Sequence, residues 1–333
     1  MAQSSSSLVG FLLFSALPDA VPKPKVQCRA MRTKAAHVVR KHMRALFRTV
    51  RAASQQDMDG IHDLRVASRR TRVALRELRR AFPKSTYRMV YDPMREITRQ
   101  LGKARELDVS ISLMVQRRNS LKGSARAAAN LTLRHMRGLR RAASKGVTTA
   151  CGILTDQRIR TLLKQLVRDA KPGNRCLVER AIRSITRQRE KLCLAYRAWL
   201  GHRGETELHN IRIRLKKLRY TCELYEELFG KALKTYVRSL KKLQEVLGRW
   251  NDCRVLRDYV ADARRKYAEH ESASHGFVEL LRLFEDEMEE LQLQVEKVAA
   301  VALSTNDKFS PDTLAHPKKS CDECPFVPTS STS

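Results

Sequence analysis

The chain has 333 residues, 42% of them apolar, enough to bury one large core or two small ones. Its 66 Lys and Arg against 35 Asp and Glu give a net charge of +31 and an isoelectric point near 10.4, so the expected partner is an anion such as polyphosphate, nucleic acid or an acidic membrane surface. The apolar share excludes a disordered polycation, and no stretch reaches transmembrane length, which excludes an integral membrane body.

Residues 1–30 read as a disordered leader broken by Pro18, Pro22 and Pro24. The apolar run at 8–17 lacks a preceding positive segment and a following small-residue cleavage site, so a cytoplasmic location is expected. A first helix is expected over about 31–53, with Val39, Met43, Leu46 and Val50 as its apolar stripe. Arg40, Arg44, Arg48 and Arg51 form a basic ladder beside it, facing either an anion or solvent.

The helix expected next, over 62–80, has the most ordered charge in the chain. His62, Arg65, Arg69, Arg72, Arg76 and Arg79 recur at spacings of three and four and so share one stripe. Leu64, Ala67, Thr71, Leu75, Leu78 and Phe82 recur with the same period on the opposite side. Seven arginines face only Asp63 and Glu77, so the stripe repels itself and a bound anion would relieve it. Asp57 or Asp59 can cap this helix, and Pro83 is expected to end it.

Further helices are expected over about 85–101, then after a break at Gly102 into Arg117-Arg118-Asn119, and over about 125–145 and 155–170. Lys171-Pro172-Gly173-Asn174 reads as a boundary, giving halves of about 31–172 and 173–303. The second half repeats the order: a helix over about 176–199 with basic Arg180, Arg183, Arg187 and Lys191, another from 206, and two more over 232–247 and from 252 to about 269. A last helix, about 277–301, clusters Glu285, Asp286, Glu287, Glu289 and Glu290 and is expected on an outer face. Residues 304–333 read as a loose polar tail. No alternating strand pattern appears, so the class is all-α.

Eight scattered cysteines suit reduced thiols in the cytosol. Cys321-x-x-Cys324, even with His316, falls short of the four ligands of a closed zinc site, so no metal is expected there.

The basic stripe has an echo. In HNIRIRLKKLRY, His209, Arg212, Lys216, Lys217 and Arg219 match His62, Arg65, Arg69, Arg70 and Arg72 at an offset of 147 residues. LGKARELDV at 101–109 and LGRWNDCRV at 247–255 come after the two copies at an offset of 146, so the chain reads as a tandem duplication. Gly102 and Gly248 are read as tight breaks, with Asp108, Asn251 or Asp252 capping the next helices.

These motifs, His-x-x-Arg-Val-x-x-Arg-Arg-x-Arg, the Leu-Gly segments, and Lys216-Lys217-Leu218-Arg219-Tyr220 with Leu243-Gln244 and Asn251-Asp252, resemble the CHAD domain, the conserved histidine α-helical domain, over about residues 31–300. Glu106 stands where the family would have Asp after Arg105. The resemblance implies two helical bundles related by a pseudo-two-fold axis, with a basic cleft between them that binds inorganic polyphosphate.

Polyphosphate has no bases to read, so its binder needs rows of cations, and rungs one helical turn apart, about 5 Å, suit successive phosphates. The candidate binding residues are His62, Arg65, Arg69, Arg70, Arg72, Arg76, His209, Arg212, Lys216, Lys217 and Arg219. The histidines, each heading a basic stripe, are expected to donate to phosphate in their protonated form. A non-catalytic binder without cofactor is expected, located in the cytoplasm and on polyphosphate granules. The alternatives are a nucleic-acid-binding helical protein and an accessory subunit of a polyphosphate- or triphosphate-metabolising enzyme. At 6% aromatic residues, stacking platforms for single strands are scarce. The Glu-x-Glu-x-Lys strand of triphosphate tunnel enzymes is absent, Glu205-Thr206-Glu207-Leu208-His209 being the nearest string.

Overall fold

The computed structural model describes residues 30–170 and 177–304. Among these residues the elements are nine α-helices and one 3-10 turn, with no strand, as the all-α reading expected. The helices are α1 (Ala30–Ser54), α2 (Met58–Glu77), α3 (Lys84–Ser120), α4 (Gly123–Thr155), α5 (Gln157–Arg168), α6 (Leu177–His202), α7 (Glu205–Phe229), α8 (Lys231–Lys266) and α9 (Glu271–Ser304). The expected leader, tail and Lys171–Asn174 boundary lie outside the described residues, as do Cys321, Cys324 and His316.

Two runs of sequential packing build the molecule. In one, α1 lies on α2, α2 on α3 and α3 on α4; in the other, α6 lies on α7, α7 on α8 and α8 on α9. The runs meet through α4 against α9 and α8, and through α2 against α7. Helix lengths keep the same order in both. α1 and α6 have 25 and 26 residues, α3 and α8 have 37 and 36, and α4 and α9 have 33 and 34. α7 begins 147 residues after α2, and α8 begins 147 residues after α3, the offset of the basic motifs.

The core forms as helical periodicity dictates. Leu46, Ile61, Leu64, Leu75 and Ile97 are fully buried on the α1–α3 side, and Trp199, Leu215, Leu218, Trp250 and Phe284 on the other. At roughly 1.5–3 kcal/mol for each large side chain removed from water, such stripes decide which face of every helix turns inward. Gly60 lets α2 start hard against the end of α1, since a Cβ there would sit 2.6 Å from the Ala52 carbonyl carbon.

Four local expectations are corrected. Gly102 and Gly248 make no breaks: α3 and α8 run straight through them as helices of 37 and 36 residues. An interior glycine costs about 1 kcal/mol against alanine, less than what the buried Leu101, Ala104 and Leu107, or Leu247 and Trp250, recover by continuing the helix. Asp108, Asn251 and Asp252 therefore lie inside helices and cap nothing, and Asp108 is instead buried in an ion pair with Arg140, whose Nε lies 2.5 Å away. The end of α2 also differs: the helix stops at Glu77, a 3-10 turn spans Arg79–Ala81, and Pro83 sits at the N-cap of α3. Of the acidic cluster in α9, Glu285, Asp286, Glu289 and Glu290 are exposed as expected, but Glu287 turns inward to pair with Arg117.

Candidate functional site: a basic row where two helices cross

Asp57, one of the two caps expected, starts α2 by accepting a hydrogen bond from the Gly60 amide at 2.6 Å. With Ile61, Leu64, Ala67, Thr71 and Leu75 buried, the 3.6-residue period leaves His62 exposed and Arg65, Arg69, Arg72 and Arg76 half-buried on the other side. On α7, Leu208, Ile211, Leu215 and Leu218 are buried, which leaves His209, Arg212, Lys216 and Lys217 half-buried beside the partner helix.

The two stripes meet where α2 and α7 touch. Arg69 Nη1 donates to the Tyr220 hydroxyl at 3.2 Å, and the Arg69 guanidinium lies 5.6 Å from the centre of that ring. The Arg219 guanidinium lies 4.3 Å from the same ring centre. Around this crossing the cations depress one another. Burial, with Arg69, Arg212 and Arg105 nearby, pulls Arg65 down to about 10. Burial, with Arg212, Arg69 and Arg65, pulls Lys216 down to about 6. Burial also lowers Arg212, against the pull of Asp252.

The histidines obey the same logic. His62, exposed on one side, is lowered by the partial desolvation of its other side and by Arg105, and His209 by burial and by Arg212, Arg254 and Lys216. The Nε atoms of Arg65, Arg72 and Arg254 and Nδ1 of His209 are buried without a hydrogen-bond partner. Unpaired buried atoms occur elsewhere too, at Arg118 Nε and His135 Nδ1 among others, but these four nitrogens fall along one basic row, where an acceptor would satisfy them together.

The structure thus brings His62, Arg65, Arg69, His209, Arg212 and Lys216 to one crossing and sets two of the sequence candidates apart. Arg70 is exposed and faces α1, where it helps burial hold His42 down at about 4. Arg219 is 9% exposed and engaged: its Nε donates to Gln244 Oε1 at 2.8 Å and its Nη1 pairs with Glu223. The stripe geometry left Arg219 at the edge of the row, and a carboxylate one turn away took it into the core. Two cations outside the sequence candidates join the crossing, Arg105 of α3 and Arg254 of α8. Both lie in the Leu-Gly segments expected to be turns, and the straight helices carry them onto the row.

Farther along, Arg72 and Arg76 of α2 and Lys217 of α7 approach a second feature. Lys217 is lowered by burial and then by Arg214, Arg76, Lys191 and Arg72. A cleft of about 870 Å³ opens here between the end of α2, the start of α3, α6 and α7.

The CHAD domain family matches residues 29–261, well over half the chain. The chain belongs to the CHAD domain family. The fold agrees: the crystal structure of the CHAD domain from the plant Ricinus communis superposes with a TM-score of 0.62 at 17% identity, covering 88% of this chain and 98% of that one. PptA from Streptomyces chartreusis superposes with a TM-score of 0.64 at 15% identity, covering 80% and 98%. At these identities the likeness is one of fold. No curated relative matches the chain. The matched CHAD segment contains both motif helices and ends inside α8, while α9 lies beyond it and packs on α4 and α8. No described helix is long and apolar enough to cross a membrane.

Proposed function

We propose that this CHAD protein binds inorganic polyphosphate, without catalysis, along the row where α2 and α7 cross. The observation that carries the reading is the set of four buried, unpaired nitrogens on Arg65, Arg72, His209 and Arg254 within a surface whose cations lower one another's pKa. A chain of phosphates supplies one acceptor after another along that row. Arg offers forked donors of fixed geometry, Lys a mobile charge, and each releases counterions as phosphate replaces them. The two halves, on this reading copies of one duplicated unit, contribute equivalent rungs from opposite directions. Such a binder suits recruitment to polyphosphate granules in the cytoplasm, or service as an accessory to an enzyme that makes or consumes the polymer. The aromatic residue nearest the row, Tyr220, lies between Arg69 and Arg219 and is not free for base stacking.

The test titrates long polyphosphate and single-stranded DNA of equal total charge against each other on the full chain. Polyphosphate is expected to displace DNA well below equal concentration. Displacement in the reverse sense would overturn the reading in favour of a nucleic-acid binder.

A further inference from the structure

The cleft beside the row differs from it in shape and in lining. Along the crossing, cations succeed one another down a track. In the cleft they stand on opposed walls: Arg183, Arg187 and Lys191 rise from α6, while Arg79 and Arg80 face in from the end of α2 and Arg214 from α7. Among the described residues, Arg79, Arg80, Arg187, Lys191 and Arg214 make no ion pair. Of the two carboxylates in the lining, Glu77 is already held by Arg76 and by the Ser184 hydroxyl, which leaves Asp92.

The cleft also has something a bare phosphate chain cannot use. Tyr87 and Tyr91, one turn apart at the start of α3, stack with ring centres 5.2 Å apart and planes inclined by 19°, and together they line the cleft. Tyr87 is buried and Tyr91 half-buried, so Tyr91, backed by Tyr87, presents the aromatic surface among the cations. Clefts of about 300–1,000 Å³ hold small molecules, and an apolar wall with converging polar groups is the usual means of orienting them.

We propose that this cleft is a second anion site, for a ring that carries several phosphates. The ring lies against Tyr91, and its phosphates reach the opposed guanidinium and ammonium groups. Cyclitol polyphosphates carry phosphates around the ring and can reach both walls, whereas nucleoside polyphosphates offer an aromatic ring to Tyr91 and their phosphates as one chain to one wall. Both combine a ring with several phosphates. The inference differs from the polyphosphate reading in its ligand and in the α3 tyrosines and α6 cations it adds, although Arg76 and Lys217, candidates of the polyphosphate row, also line the cleft.

The experiment measures binding to the full chain by calorimetry with inositol hexakisphosphate, guanosine triphosphate, a linear chain with as many phosphates as the inositol compound, and long polyphosphate. One of the two ring compounds is expected to bind one to one and at least about tenfold more tightly than the linear chain; which one it is identifies the source. Tyr91→Ala should remove that preference while leaving the linear chain unaffected. R187A/K191A, at the exposed Arg187 and the half-buried Lys191 of α6, should weaken the ring compound by about tenfold or more and long polyphosphate by less than about threefold. Equal binding of ring and linear ligands overturns the proposal, as does a loss of long polyphosphate as large as that of the ring compound, which would make the cleft an extension of the track. Arg69→Ala with Arg212→Ala reports on the crossing alone, so a failure of the polyphosphate reading is seen separately.

Discussion

Arg69 of α2 donates a hydrogen bond to the hydroxyl of Tyr220 of α7 at 3.2 Å, joining residues 151 positions apart in the chain. Each belongs to one copy of the basic motif, so this contact sets the register in which the two rows of cations face each other. A neutral acceptor on a charged donor is worth about 1.5–3 kcal/mol at most, and less where water competes. Tyr220→Phe is expected to lower stability by about 0.5–1.5 kcal/mol, with Tyr220→Ala costing more because the ring beneath Arg69 and Arg219 is lost too. Denaturant melts decide this; an unchanged midpoint for Tyr220→Ala would show that the contact aligns nothing.

Affinity for polyphosphate should fall steeply with salt. Arg69→Ala and Arg212→Ala should each reduce the slope of log affinity against log salt by about one, with little change in the melting curve. Arg219→Met should behave in the opposite way: it strands the half-buried Glu223 and costs about 1–3 kcal/mol of stability while the slope is kept. Circular dichroism melts beside calorimetry at several salt concentrations separate the two behaviours.

Binding should take up protons. His62, His209 and Lys216 all lie below their ordinary values in the free protein, because burial and neighbouring cations disfavour the charged form. Bound phosphate favours it, so their pKa values rise in the complex. The added affinity is then complete below the free-state values and is lost as pH climbs through the bound-state values. With Lys216 free at about 6, the decline should extend well above neutrality, beyond the range two histidines alone would cover. Calorimetry at pH 7.5 in buffers of different ionisation heat should read net uptake, reduced in His62→Ala and His209→Ala and reduced most in Lys216→Met. Zero uptake in the unaltered protein would remove all three from the site.

Lys216 should also cost the free protein stability. Its folded value of about 6 against the ordinary 10.5 means that the unfolded chain binds more protons between those limits, so stability rises with pH across that interval. Lys216→Met, which keeps the stem and removes the charge, should stabilise the ligand-free protein at neutral pH by about 1–2 kcal/mol and weaken polyphosphate binding by roughly tenfold. Destabilisation by the methionine would show that the amine has a structural partner.

The glycines give a test of the helix boundaries. Gly102→Ala and Gly248→Ala should each stabilise by about 0.5–1 kcal/mol, since both are inside helices with open space where a Cβ would go. Gly60→Ala should destabilise, because the new Cβ would overlap the Ala52 backbone and force α1 and α2 apart. If alanine at 102 or 248 lowered the melting temperature, these positions would need glycine for a reason the straight helices do not contain.

The sequence by itself determined the helical class, the apolar and basic faces of α2 and α7 and the membership that the basic motifs announced, and it narrowed the cap of α2 to Asp57 or Asp59. These are properties of one helix at a time: a period of 3.6 residues and the burial of Leu64, Leu75, Leu215 and Leu218 decide which side is left for Arg65, Arg69, Arg212 and Lys216. Only the tertiary structure decided which cations meet. Arg70 and Arg72 are two residues apart, yet one faces α1 and the other the row, and Arg219 was drawn into the core by Glu223 and Gln244. Arg105 and Arg254 reached the site because burial along α3 and α8 outweighed the cost of a glycine in each helix, and no local rule sets that balance. The cleft is still less local. Its walls come from α2, α3, α6 and α7, and the spacing between opposed charges is set by how those four helices pack, which their separate periodicities do not encode.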